Sequence, residues 1–395
     1  MSKLTALILL CTAVVFGLAP WFATSAALPD MVREGGISAT RQALLSSMVQ
    51  AGFVVGALAT AITGLPDRFD PRRVMAIAAG LNACFTGALL WAPLGGDLAI
   101  TLRFLSGACF AGVYPVGMKI TVGWGLKDRG LLVGVVVGAL TFGSSVPHLA
   151  AWAGGADWRV VIGSAALASA FTAIMALFCG LGPHHARAPQ FSARSIGLMW
   201  TDRRIRAATG GYLGHMWELY VMWGWIGAAA AAGYAMQMDK AAAVEFAAFT
   251  AFAAIAIGAV TCVIGGVLAD RIGKAEVAGG AMVISGAMAV AVALAHGGPV
   301  WLSFLLILIW GAFVVPDSPQ FSALIADAAP PEVAGSLMAV QTALGFGLTI
   351  LTVQAAPLLA EIVGWQWTLG VLALGPVFGV WALRPLFGRS KDTAA

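Results

Sequence analysis

The sequence predicts an all-α membrane protein: twelve transmembrane helices arranged as two pseudo-symmetric six-helix bundles. Three observations predict it. Of 395 residues, 60% are hydrophobic and only 10% charged, where a soluble domain carries roughly 25% charged residues; that is too little charge to cover a water-facing surface. Apolar windows of about 20 residues, the length that crosses a bilayer, recur twelve times. The last six windows echo the first six.

Taken in order, Met1–Lys3 leads into an apolar run over 4–28. That run is too long for a signal-peptide core and has further spans behind it, so it reads as span 1. Spans 2 to 6 follow at 43–65, 73–93, 98–122, 130–152 and 158–181. Spans 7 to 12 fall at 206–232, 243–268, 276–295, 300–325, 334–358 and 366–387. Helices rather than strands follow from the window length, because membrane strands are short and alternate. The longest polar connection, 182–205, divides the chain into bundles at 1–181 and 206–395. The 49 glycines sit inside apolar runs, where small residues let helices approach closely. Five cysteines lie in apolar stretches without a CxxC pair, which suits packing rather than disulfides or metal.

Orientation follows from Lys and Arg in the loops. With the N-terminus in the cytoplasm, 16 of them fall on cytoplasmic segments and 4 on the opposite side (Arg33, Arg41, Arg159, Lys240). The expectation is a multi-pass protein of the cytoplasmic (inner) membrane with both termini inside. The halves repeat: TGLPDRFDPRR at 63–73 meets GVLADRIGK at 266–274, YP at 114–115 meets VP at 315–316, and DWR at 157–159 meets GWQ at 364–366. Asp67 to Asp270, Pro115 to Pro316 and Trp158 to Trp365 are offsets of 203, 201 and 207 residues. Three matches at nearly constant spacing indicate internal duplication, a common transporter design.

GVLADRIGK is a close copy of the loop G-x-L-A-D-R-x-G-R-K of the major facilitator superfamily, which the chain resembles over nearly its whole length. The first-half copy departs from it: Thr63, Pro66, Asp70 and Pro71 stand at the leading Gly, the Ala, the second Gly and the first basic position, while Asp67, Arg68, Arg72 and Arg73 remain. The resemblance implies a loop that latches one side of the transporter, with Asp67, Arg68 and Arg72, and Asp270 and Arg271, as latch residues. An acid there can cap helix N–H groups, and contacts formed in one bundle arrangement and broken in the other would gate access. The plainer alternative is a basic loop that only obeys the charge rule. RFLSGACFAG from Arg103 also looks like the family's span 4. GVVVGALTFG at 134–143 keeps the glycines of its exporters but has Ala139 where they carry Pro.

Ionisable groups within spans are costly and usually face protein or water. The resemblance places spans 1, 4, 7 and 10 around the central cavity. On span 4, Arg103 lies about 8 Å in from one end and shares a stripe with Gly107, Phe110 and Tyr114. This suits an anionic or aromatic solute, or else a structural arginine bonding backbone carbonyls. Lys119 reads as snorkelling to the interface. On span 7, His215 and Glu218 lie about 14 and 18 Å deep. Three residues apart, they share a face and can hydrogen-bond, either as a proton-exchanging pair or as a tie between helices. Tyr220 and three tryptophans add aromatic surface to that span. In VVPDSPQFS of span 10, two prolines interrupt the helix around Asp317, which is tolerated where a cavity is lined. Asp317 and Gln320 then serve solute or proton, or Asp317 is an interfacial acid near the latch. Gln50, Asn82, His148, Gln341 and Gln354 read as isolated interhelical hydrogen bonds.

The function expected is a secondary active transporter, most simply proton-coupled uptake (symport) of a small organic solute by alternating access. Proton-antiport efflux is the alternative, and a membrane-embedded enzyme or sensor stands further off. No GxxxxGK[ST] loop supports ATP coupling, and the five histidines lack metal-binding spacing. The expected partners are the solute, a proton and the lipid bilayer, with the chain a monomer; no cofactor, metal, nucleic acid or catalytic residue is expected. A looser likeness of span 7 to carriers of nitrate or cyanate sits poorly with so many aromatic side chains. Those suit a vitamin, an aromatic acid or another amphipathic metabolite.

Overall fold

The computed structural model describes residues 1–125, 129–154, 157–185 and 191–388. Lys127, Arg187, Arg389 and Lys391, which entered the charge count, lie outside them. Among the described residues, helices occupy all twelve expected spans. Ten segments are long and apolar enough to cross a bilayer. One of these, Pro331–Leu386, turns at Gly364, whose φ of +79° ends span 11 and opens span 12. Span 7, Arg203–Tyr234, carries more polar residues and makes the twelfth.

Side chains and prolines set the helix ends. Asp70 accepts from the Arg72 N–H at 3.0 Å to open span 3, Pro71–Ala88. Asp157 caps span 6, Trp158–Phe178, through the Arg159 N–H at 2.8 Å. Asp202 caps span 7 through Arg204 and Ile205. Each supplies an acceptor to an orphan N–H and a negative charge to the positive helix end. In the DWR and GWQ repeat, the first copy thus starts its helix with a capping acid and the second with a glycine turn.

Besides span 12, which turns at residues 372–373, three spans are broken near their middles. Span 1 runs as Lys3–Leu18, a tight 3-10 turn at Ala19–Trp21 and Ala23–Gly35. Span 4 is Asp97–Phe110 followed by Tyr114–Val122. Span 10 is Val300–Phe313 followed by Ser318–Ala328. Pro20, Pro115, Pro316 and Pro319 sit at these breaks, where proline removes an N–H and crowds the preceding turn. The bundles meet along span 2 (Ala39–Thr63) against span 11 and span 5 (Arg129–Ala153) against span 8 (Lys240–Ile272).

Packing repeats the duplication seen in sequence. A Cβ on Gly107 of span 4 would stand 2.2 Å from the Val49 carbonyl oxygen of span 2, and one on Gly311 of span 10 would stand 2.0 Å from the Ala254 oxygen of span 8. Gly107 to Gly311 is 204 residues and Val49 to Ala254 is 205. The outer face is apolar: Leu4, Ile62, Leu167 and Ile362 are exposed. Trp91 and Trp301 are exposed near the end away from the chain termini, and Trp200 near the other, as in an interfacial aromatic belt.

Candidate functional site

The break in span 1 builds the centre of the molecule. It turns Trp21 and Phe22 towards the second bundle and frees backbone carbonyls, which Arg103 collects. The guanidinium is fully buried and donates to Pro20 O at 2.9 Å, Trp21 O at 2.6 Å and Leu45 O at 3.3 Å. Of the two readings of Arg103, this geometry matches the structural arginine, with three donors on carbonyls of spans 1 and 2. Lys119 reaches towards the end of its span, to the loop between spans 2 and 3. Its ammonium holds the Pro66 carbonyl at 3.0 Å and pairs with Asp67.

Around Trp21 an aromatic cluster crosses the seam. Trp21 packs against Phe53 and Phe110 of its own bundle and against Tyr220 and Phe346 of the other, with ring centroids 4.8 to 5.8 Å apart. Phe22 meets Tyr220 and Trp223 at 5.9 and 5.7 Å. All seven are buried. Trp21 Nε1 and Trp223 Nε1 are buried donors without an acceptor among the described residues. Buried polar groups are nearly always paired, so two orphan indoles in one cluster are unusual.

On span 7 the expected hydrogen bond between His215 and Glu218 is not formed; each side chain turns to a different neighbour. His215 Nδ1 hydrogen-bonds Asp317 Oδ2 at 2.9 Å, joining span 7 to the break of span 10. Glu218 accepts from Trp310 Nε1 at 2.7 Å and Ser285 Oγ at 2.9 Å, reaching spans 10 and 9. Both Glu218 oxygens are thereby engaged. The dyad is not saturated: His215 Nε2 and Asp317 Oδ1 are buried without a partner among the described residues. Tyr212 stacks on His215 at 6.2 Å, and Phe321 packs against both rings. Tyr114 is half-buried at the start of the second half of span 4. Gln320 donates to the Pro316 carbonyl of its own span at 3.3 Å.

In the loop between spans 2 and 3, Arg72 makes a two-pronged contact with Asp70, Nε to Oδ1 at 3.0 Å and Nη2 to Oδ2 at 2.7 Å. That guanidinium holds the Asp70 carboxyl below its ordinary range. Arg68, Asp270 and Arg271 are exposed. In the second half Lys274 pairs with Asp327 at 2.5 Å, so a loop cation meets an acid on the far end of span 10. The first half has the reverse, a loop acid on the Lys119 cation. Asp67 and its partner Lys119 belong to the same bundle.

Trp21, Phe22, Phe53, Phe346, Ser285 and Trp310 were not among the expected site residues. The legible signal for the first two was Pro20, a helix breaker in mid-span next to two aromatic residues.

Twelve spans in duplicated halves, with mid-membrane breaks and a buried polar and aromatic centre, define a membrane transporter of a small solute. The sequence profile of the Major Facilitator Superfamily matches residues 9–346, and the chain belongs to that family. A gallate transporter of Pseudomonas putida is 30% identical over 149 residues, which is 34% of this chain and 33% of the relative, so the match spans about one third of that protein's length. Two solved structures share the fold. The xylose transporter XylE from E. coli, in a partially occluded inward-open conformation, superposes with a TM-score of 0.75 at 11% identity, covering 98% of this chain and 100% of that one. A D323A mutant of the nucleoside transporter NupG gives 0.72 at 14%, covering 97% and 100%.

Proposed function

We propose that this chain is a proton-coupled transporter of small aromatic carboxylates, importing them across the cytoplasmic membrane, with both termini inside. The observation that carries the reading is the set of unpartnered buried polar atoms at the centre: Trp21 Nε1, Trp223 Nε1, His215 Nε2 and Asp317 Oδ1. An aromatic ring can replace ring contacts at the seam, while its carboxylate accepts from the indole N–H groups. The gallate transporter similarity supports the same solute class, since gallate is a hydroxylated aromatic acid. Asp317 with His215 forms the proton site, because a carboxylate with a free oxygen can gain and lose a proton as water access alternates. Glu218, engaged at both oxygens, ties spans 7, 9 and 10 and keeps a lesser share of coupling.

The test is uptake of radiolabelled gallate into proteoliposomes with an imposed pH gradient, alongside counterflow without one. Asp317→Asn is expected to abolish accumulation against the gradient and to preserve counterflow. Glu218→Gln is expected to weaken both through packing. Accumulation by Asp317→Asn at the wild-type level would place the proton elsewhere. If gallate, benzoate and 4-hydroxybenzoate all fail in counterflow, the solute class is wrong.

A further inference from the structure

A second pair of buried titratable side chains, His148 and Asp30, lies beyond the aromatic cluster, towards the end opposite the chain termini. His148, near the end of span 5, is 3% exposed, and its Nε2 has no partner among the described residues. Its ring lines a small cavity of about 20 Å³ with Ser25 and Asp30 of span 1, Gly227 and Ala228 of span 7, and Val244 of span 8. The cavity therefore sits on the seam between bundles, at the end opposite the chain termini. It is roughly the size that admits one water, and it offers the polar partners a buried water needs.

The charges around it are few. Asp30, 7% exposed, accepts from the Trp158 N–H at 2.8 Å and pairs with Arg33. The lining residues of spans 7 and 8 carry no titratable group. Glu34 and Arg159 pair with each other at the exposed rim, and Lys240 and Glu245 are exposed. An imidazolium at His148 would therefore face one carboxylate already neutralised by an arginine. A buried cation that must share its only nearby carboxylate with an arginine is costly, whereas an opened seam would hydrate it.

We propose that the Ser25–Asp30–His148 cavity is a water and proton site built into the gate opposite the termini, so that acid on that side favours its opening. The inference rests on the two halves alternating as a transporter does, and not on which group carries the coupled proton. If that face is the external one, external acid opens the outer gate, the direction that proton-driven import needs.

The experiment uses the full chain in nanodiscs, with native cysteines replaced and spin labels at Thr40 and Lys240, both exposed on the rims of opposite bundles. Pulsed dipolar distances are recorded between pH 8 and 5. The wild type is expected to gain a longer-distance population as pH falls, by at most about tenfold per pH unit for one linked proton. His148→Gln should flatten that response, while His296→Gln, the other histidine near that end, should leave it. The distances are read without solute or an imposed gradient, so their outcome is separate from the uptake assay that tests the coupling site. An unchanged response in His148→Gln overturns the proposal. So does a wild type whose distances do not move with pH, a result that stands even if the variant fails to fold.

Discussion

Replacing Arg103 with leucine separates a structural arginine from a solute ligand. The substitution removes three hydrogen bonds from a charged donor, to Pro20, Trp21 and Leu45. Such bonds are worth about 1.5–3 kcal/mol each, a gross loss of roughly 4–9 kcal/mol. Against this, the variant no longer buries a guanidinium, a burden of several kcal/mol even when it is well bonded. Leucine also restores some apolar contact. A net destabilisation of about 2–4 kcal/mol is expected. At roughly 2–4 °C per kcal/mol for a unit the size of one bundle, the melting midpoint falls by about 5–15 °C. The assay is tryptophan fluorescence of the detergent-purified protein during heating, with gallate binding measured well below the transition. Arg103→Lys, which cannot span all three carbonyls, should fall between. A leucine variant that melts within a degree or two of wild type but has lost solute binding would refute the reasoning and make Arg103 the anion anchor.

Two further outcomes are expected. Gly107→Ala and Gly311→Ala each force a methyl onto a carbonyl oxygen of the neighbouring span, so both should melt several degrees lower. Gly163→Ala and Gly266→Ala, which meet nothing within 4 Å, should melt close to wild type, and equal effects in all four would discredit the close contacts. Asp67→Asn and Lys119→Met break one half-exposed ion pair, so they should slow transport alike, spare gallate binding, and show no added loss when combined. A double variant with summed losses would mean that the two residues act separately.

The spans were legible because hydrocarbon thickness dictates their length, and even polar span 7 kept an apolar window. The paired prolines of VVPDSPQFS announced the break of span 10. The partners of buried polar groups were less legible. Spacing of three residues places His215 and Glu218 on one stripe of one helix. It says nothing of Asp317, Trp310 and Ser285, which arrive from spans 9 and 10 with better geometry. Arg103 shows the same limit. Its stripe with Gly107 is real, since Gly107 does meet span 2, but the long side chain turns to carbonyls that a break in another span had freed. Recognising Pro20 as that break would have supplied the missing partner.

The paired glycine contacts bear on how such a molecule can move. Where backbones of spans 2 and 4, or 8 and 10, touch with no side chain between them, no rotamer change can absorb a shift. Any sliding would drive a carbonyl into a neighbouring helix. Each half is therefore stiff along these lines, and strain from a bound solute passes through it as through a lever. Compliance is left to the rings where the halves meet. Trp21, Phe53, Tyr220 and Phe346 can tilt against one another at little cost, so the joint of this machine is made of side chains and its arms of backbone.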